Sequence, residues 1–327
     1  MLARFAKLLL VREGEGAVVV YLGTLNLIVG LAMALGRSSG DALFLKRFGV
    51  EFLPQMFFLT SILLVFFSAI YASYADRISH TRLLKLLLLV VAVAVTANWI
   101  AMRSSSAAWP YALYFLCYAV ASEIVYIHFS LYAFGILDVS QEKRVMPLIG
   151  ASARLGAIIG GVAVGLGATH LPLENMAIAW AVTAALAGAI VHFYHRGEPV
   201  FAARRRHRHP WADIKEGLRF AQRSAFLKTA SMGLFLLIIL ISLQDYISNV
   251  IFTNHFDDEN ALAAFFGWFF AATNLVVLLL QLLATNRLLH RFGLKIVSLI
   301  FPLSTLLSFA VLLISPSFIA AMVARFN

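Results

Sequence analysis

The stretch Asp76-Arg77-Ile78-Ser79-His80-Thr81-Arg82-Leu83-Leu84-Lys85 follows one long apolar run, and Asn286-Arg287-Leu288-Leu289-His290-Arg291-Phe292-Gly293-Leu294-Lys295 follows another. Arg77, His80, Leu84 and Lys85 recur as Arg287, His290, Leu294 and Lys295 at a constant offset of 210 residues (77 to 287, 85 to 295). The same offset lays the first apolar run on the seventh. Long-period self-similarity between sets of apolar runs predicts a duplicated six-helix unit. Two full copies need about 400 residues at this spacing, so a chain of 327 residues is expected to hold an incomplete second copy.

The runs themselves set the class. Apolar residues make up 61% of the chain, charged residues 13%, and the mean hydropathy is +0.87. Soluble domains average about 45–50% apolar and about 25% charged, so a soluble globular enzyme is excluded at the outset. Nine runs reach the roughly 20 residues a spanning helix needs: 17–36, 52–75, 83–102, 110–136, 145–168, 176–195, 226–252, 261–285 and 294–314, with the start of a tenth near Ser317. The expected fold is an all-α membrane protein. A lead-in occupies 1–16, a six-helix bundle 17–195, a basic linker 196–225 and an incomplete second bundle 226–327. The lead-in has too short an apolar core for a signal peptide. A single cysteine, Cys117, excludes an intrachain disulfide.

Orientation follows from the basic residues, which stay on the cytoplasmic side during insertion. Apart from Arg325, only Arg37, Lys46, Arg47 and Arg103 of the 26 Lys and Arg residues fall in outer segments if the N-terminus is inside. The acidic Asp257-Asp258-Glu259 also falls outside on that reading. A cytoplasmic N-terminus in a bacterial inner membrane is therefore expected. The linker's Arg204, Arg205, Arg206 and Arg208 are accounted for by topology and anionic lipid headgroups, so nucleic acid is not an expected partner.

At the loop after the second run the sequence resembles the major facilitator superfamily. Asp76, Arg77 and Arg82 match that family's acid-and-basic signature, while Ala72 and Ser79 replace its glycines. Such charges at a helix junction cap helix ends and form a relay that breaks when two halves rock apart. The resemblance thus implies a gating role for Asp76, Arg77, Arg82, Arg144 and Arg287. Within the superfamily, Arg37-Ser38-Ser39-Gly40-Asp41, Gly49-Val50-Glu51-Phe52-Leu53-Pro54, Ser122-Glu123-Ile124 and Glu142-Lys143-Arg144-Val145-Met146-Pro147-Leu148-Ile149-Gly150 are similar to the nucleotide transporter (ATP/ADP antiporter) branch. Gly40 stands where that branch has a lysine.

Ionisable groups inside apolar runs are costly and mark pathways or pairs. On a helix Glu123 shares a face with Tyr126 and Ser130 and would present a carboxylate, a phenol and a hydroxyl to one cavity. Pairing of Glu123 with Arg154 or His128 is the alternative. Arg154 is the candidate ligand for an anion, since a guanidinium holds one through two hydrogen bonds; its alternative is snorkelling to the interface. Asp245 shares a face with Asn249. Arg37 and Asp41, four apart, are placed to pair on one helix face as a gate or substrate contact. The fifth run carries Gly156, Gly160, Gly161 and Gly165 in pairs four apart, which lets a flat helix face approach a neighbour closely.

These features predict a secondary transporter working by alternating access on a small anionic, nucleotide-like solute, driven by an ion gradient or by exchange. A non-transporting or lipid-handling protein on a transporter fold is the alternative. No Gly-rich phosphate-binding loop with Lys-Ser/Thr, no His-Glu-x-x-His and no Gly-x-Ser-x-Gly occurs, so neither an enzyme nor a cofactor is expected. The expected partners are the solute and membrane lipids.

Overall fold

The computed structural model describes residues 12, 14–75, 77–194, 219–220, 222–283 and 285–326. Among them there is no strand. The helices are α1 Gly16–Phe44, α2 Leu53–Ala75, α3 His80–Ser104, α4 Trp109–Ile136, α5 Val139–Gly167, α6 Asn175–Phe193, α7 Ala225–His255, α8 Glu259–Leu283, α9 Thr285–Ile314 and the short α10 Phe318–Phe326. Eight helical runs are long and apolar enough to cross a membrane, so the chain is an all-helical, multi-pass membrane protein. Most of the linker and most of the lead-in expected from the sequence lie outside the described residues.

The first of the eight runs, Gly16–Ala75, has 60 residues. As one straight helix it would extend about 90 Å, three times the roughly 30 Å hydrocarbon core. It is instead broken by a π-helical turn at Leu45–Gly49 and a 3-10 turn at Val50–Phe52. Gly49, at φ 124°, lies where a side chain is strained. The contacts on α4 show the reversal. Tyr21 meets Tyr132 and Phe44 meets Phe115, so α1 runs antiparallel to α4. The Tyr71 hydroxyl hydrogen-bonds His128 Nδ1 at 2.8 Å near the C-terminal ends of both α2 and α4, and Arg47, just before α2, lies over the Tyr111 ring at the start of α4. Thus α2 is parallel to α4, and the one long run is two helices, as the nine-run reading expected.

Local chemistry sets several helix starts. The Ser79 hydroxyl accepts from the Arg82 backbone N–H and caps α3. Asp138 and Gln141 form a reciprocal capping box at the start of α5. Hydrogen bonds from the Gln141 and Ser140 N–H groups and the Ser140 hydroxyl hold the Asp138 carboxyl below its ordinary pKa. Pro110 sits in the first turn of α4, where its missing N–H costs nothing. Within α9, Gly293 at φ 72° marks a kink.

The centre of the molecule is α5 wedged between α1 and α8. On one side of α5, a Cβ added at Gly156 would lie 1.9 Å from the Leu27 carbonyl oxygen, and one at Gly160 would lie 2.7 Å from both Ala34 Cβ and the Leu31 oxygen. On the other side, a Cβ at Gly161 would meet the Gly267 oxygen at 2.6 Å, and one at Gly165 the Trp268 indole nitrogen at 2.8 Å. Each glycine pair anticipated from the sequence therefore faces a different helix. Side-chain amides add ties: Asn26 donates to the Ile149 carbonyl at 2.8 Å and Asn98 to the Pro110 carbonyl at 3.0 Å. This is how polar groups bind helices where lipid offers no partner.

Candidate functional site

Close packing of α1, α5 and α8 projects two arginines onto one face of α8. Arg37, from α1, lies over the Phe270 ring at 5.4 Å. Arg154, from α5, donates to Asn274 Oδ1 at 3.0 Å. Phe270 and Asn274 are four residues apart, so the guanidiniums dock about one helical turn from each other, roughly 5–6 Å along α8. Asn274 is oriented by its own amide, which donates to the Phe270 carbonyl at 2.9 Å.

Two adjoining cavities share Arg37, Arg154, Phe270 and Asn274 in their walls. The larger, about 400 Å³, is completed by Asn26, Tyr126, Phe129, Ser130, Met146 and Gly150 among others. The smaller, about 210 Å³, adds Ser38, Asp41, Thr273, Arg325 and the rings of Phe266, Phe269 and Phe326. Arg37 and Arg154 are both exposed, and neither reaches a carboxylate at ion-pair distance among the described residues. Arg37 feels Asp41 and Asp245 only through space. Arg154 extends across to α8 rather than snorkelling along its own helix.

The pairing expected between Arg37 and Asp41 is corrected by the structure. Asp41 pairs instead with Arg325 of α10 at 3.0 Å, their side chains only 9% and 10% exposed. The Tyr118 hydroxyl also donates to Asp41, and Arg325 also donates to Asn249 Oδ1 and lies over the Phe266 ring. Asp41 thus turns toward a guanidinium of α10, which reaches a site already furnished with acceptors. Gly40 has a matching explanation: a Cβ there would lie 2.8 Å from the Tyr118 ring, so the phenol that holds Asp41 fills the space a side chain would need.

Tyr126, Ser130, Arg154 and Arg37 are therefore brought together in the wall of the larger cavity, Asp41 joins the two arginines in the smaller one, and Asn249 is tied in through Arg325. Glu123 and Asp245 line neither cavity. Glu123 is exposed and Asp245 half-buried. The alternative partners of Glu123 are engaged elsewhere, Arg154 with Asn274 and His128 with Tyr71 and the His80 carbonyl.

Of the expected gating residues, Asp76 lies outside the described residues. Arg77, Arg82 and Arg287 are exposed and form no ion pair among the described residues. Arg144 is bonded to Glu15 at 2.7 and 3.2 Å, and this bond lowers the Glu15 pKa from its ordinary value. That pair joins α5 to the segment before α1. Ties between helices far apart in the sequence lie near the start of α2. Arg47 makes a two-pronged bond to Glu259 at 2.5 and 2.6 Å, with Glu174 at 4.0 Å, and Lys46 donates to the Thr253 carbonyl at 2.9 Å. The sequence offered opposite charges at the ends of runs on one predicted side, Lys46-Arg47 and Asp257-Asp258-Glu259, as the signal for this tie. For Arg325 it offered none.

Fold and site together define a helical, multi-pass membrane protein with a cationic cavity between two packed sets of helices. No protein-family model matches the chain, and no curated protein matches it.

Proposed function

We propose that the protein is a secondary transporter that moves a small anionic, nucleotide-like solute by alternating access between two helical units of major facilitator type. The observation that supports this most directly is the pair of guanidiniums, Arg37 and Arg154, facing a cavity without a carboxylate partner. An uncompensated cation in a low-dielectric bundle is costly, and an anion relieves the cost through charge-assisted hydrogen bonds. The rings of Phe129 and Phe270 give the organic part of such a solute an apolar wall. Transport would draw on an ion gradient or on exchange.

In a bacterial inner membrane with the N-terminus cytoplasmic, as the basic residues favour, the Arg47–Glu259 end faces outward. The tie there and the larger cavity's extension toward Asn26 and Gly150 fit a conformer closed outside. The direct test is uptake of radiolabelled AMP, inorganic phosphate and succinate by proteoliposomes. Saturable uptake of at least one supports the reading, and background rates for all three oppose it.

Two further outcomes follow from the charges. Arg47→Glu should loosen the outer closure, and adding Glu259→Arg should restore it. An exposed pair contributes only about 0.2–1 kcal/mol, so a cysteine placed by Ser38→Cys in a Cys117→Ser background should react with an impermeant outside maleimide about two- to fivefold faster in the single variant. Glu123→Gln should leave exchange of solute in place while abolishing its dependence on an imposed pH gradient. Unchanged pH-driven uptake would remove Glu123 from the coupling.

A further inference from the structure

The smaller cavity contains three guanidiniums, Arg37, Arg154 and Arg325, and one carboxylate, Asp41, in its walls. Asp41 and Arg325 neutralise each other at 3.0 Å in a nearly closed setting. Two positive charges are left over, on groups that dock one helical turn apart on α8 and that no carboxylate reaches. The other lining residues, Ser38, Thr273, Asn274 and aromatic rings, carry no charge. Asp245 and Glu123 stand outside the walls.

We propose that the Asp41–Arg325 pair is a charge selector, holding the cavity at an excess of two positive charges so that it prefers a dianion over mono- and trianions of similar size. The inference rests on the anion site described above and deepens it by naming the charge class of the ligand. Its physical basis is charge matching between the ligand and the cavity wall. A monoanion leaves one guanidinium unmatched, and a trianion brings a third negative charge with no free partner, since Arg325 already belongs to Asp41. The pair is built for this role more than for bare cohesion. Asp41 is fixed by Tyr118 and Arg325 by Asn249 and Phe266, so each partner holds its position in the wall through a second contact.

The selector makes opposite predictions for its two halves. Asp41→Asn keeps an acceptor for Tyr118 and removes the negative charge, which frees Arg325 and raises the excess to three. Arg325→Gln keeps a donor for Asn249 and leaves Asp41 to offset Arg37, which lowers the excess to one. The probes are butyrate, succinate and tricarballylate, which carry one, two and three carboxylates, titrated calorimetrically into the purified full chain in detergent at neutral pH. The wild type should bind succinate tightest. In Asp41→Asn the ratio of the tricarballylate to the succinate affinity should rise about tenfold or more, and in Arg325→Gln the ratio of butyrate to succinate should rise by a similar factor, the scale expected when one unit charge changes its match. Because each variant is read as a ratio within itself, a general loss of folded protein does not imitate the result, and either variant suffices if the other fails to fold. Anion binding whose charge ranking is unmoved in the variants overturns the selector and leaves the anion site standing. If no probe binds the wild type or either variant, the anion site itself falls, and the selector with it.

Discussion

Arg37→Gln and Arg154→Gln are each expected to lower anion uptake into proteoliposomes by about tenfold to 100-fold, because a hydrogen bond to a charged group contributes roughly 1.5–3 kcal/mol. The two arginines reach α8 from different helices, so the losses have a shared cause, removal of one of two cations from a single cavity. Lysine is not an adequate substitute. It supplies the charge but neither the planar fork nor the stacking surface that Arg37 lays on Phe270. Arg154→Lys should therefore retain only part of the uptake, and Arg154→Gln less. Neither change should unfold the protein, since Arg37 and Arg154 satisfy no buried carboxylate. A variant that stays folded, elutes as the wild type does and still transports at the wild-type rate would remove that arginine from the site.

The largest effect on stability is expected at Gly156. Its Cβ would be placed 1.9 Å from the Leu27 carbonyl oxygen, with the Leu31 nitrogen at 2.9 Å. Both neighbours are backbone atoms of α1, so no side chain can turn aside, and the helices must part. Overpacking of a well-packed core typically costs 1–3 kcal/mol and occasionally more; collision with backbone puts Gly156→Ala at about 3 kcal/mol or above. Gly150→Ala is the control, because nothing lies within 4 Å of its added Cβ. Thermal unfolding in detergent should show Gly156→Ala melting well below the wild type and Gly150→Ala melting with it. Equal melting of the two variants would contradict the α1–α5 contact. Gly161, whose Cβ would meet the Gly267 oxygen, concerns the contact between α5 and α8, and Gly161→Ala should separate these helices and open the cavity wall.

Much of the helical layout was legible because each span is governed by local rules. A run such as 83–102 must be a helix in lipid to satisfy its own backbone, and it appears within His80–Ser104. The long helical run Gly16–Ala75 was legible as two spans, 17–36 and 52–75, but the first helix continues past Arg37 to Phe44. Some of the site was legible for the same reason. Tyr126 and Ser130 share a helix face by spacing alone, and that face does line the larger cavity. Glu123 shares the spacing but lies beyond the cavity's walls, since a helix face is longer than the space it borders. The partner of Asp41 was not legible. Four residues away on the same helix stood Arg37, the natural choice from local spacing, while Arg325 lay 284 positions along the chain.

The sequence by itself determined what depends on one helix at a time: that the chain is helical, that it is apolar enough to span a membrane many times, where the runs begin, and that α5 presents glycine faces. Only the tertiary structure decided which charges meet. It tied Arg47 to Glu259 and Arg144 to Glu15, gave Asp41 to Arg325, and left Arg37 and Arg154 open to the cavity. The reason is one of range. Backbone hydrogen bonding and hydropathy act over a few residues, whereas an ion pair is set by how closely whole helices approach, and here that approach is governed by the absence of side chains at Gly156, Gly160, Gly161 and Gly165.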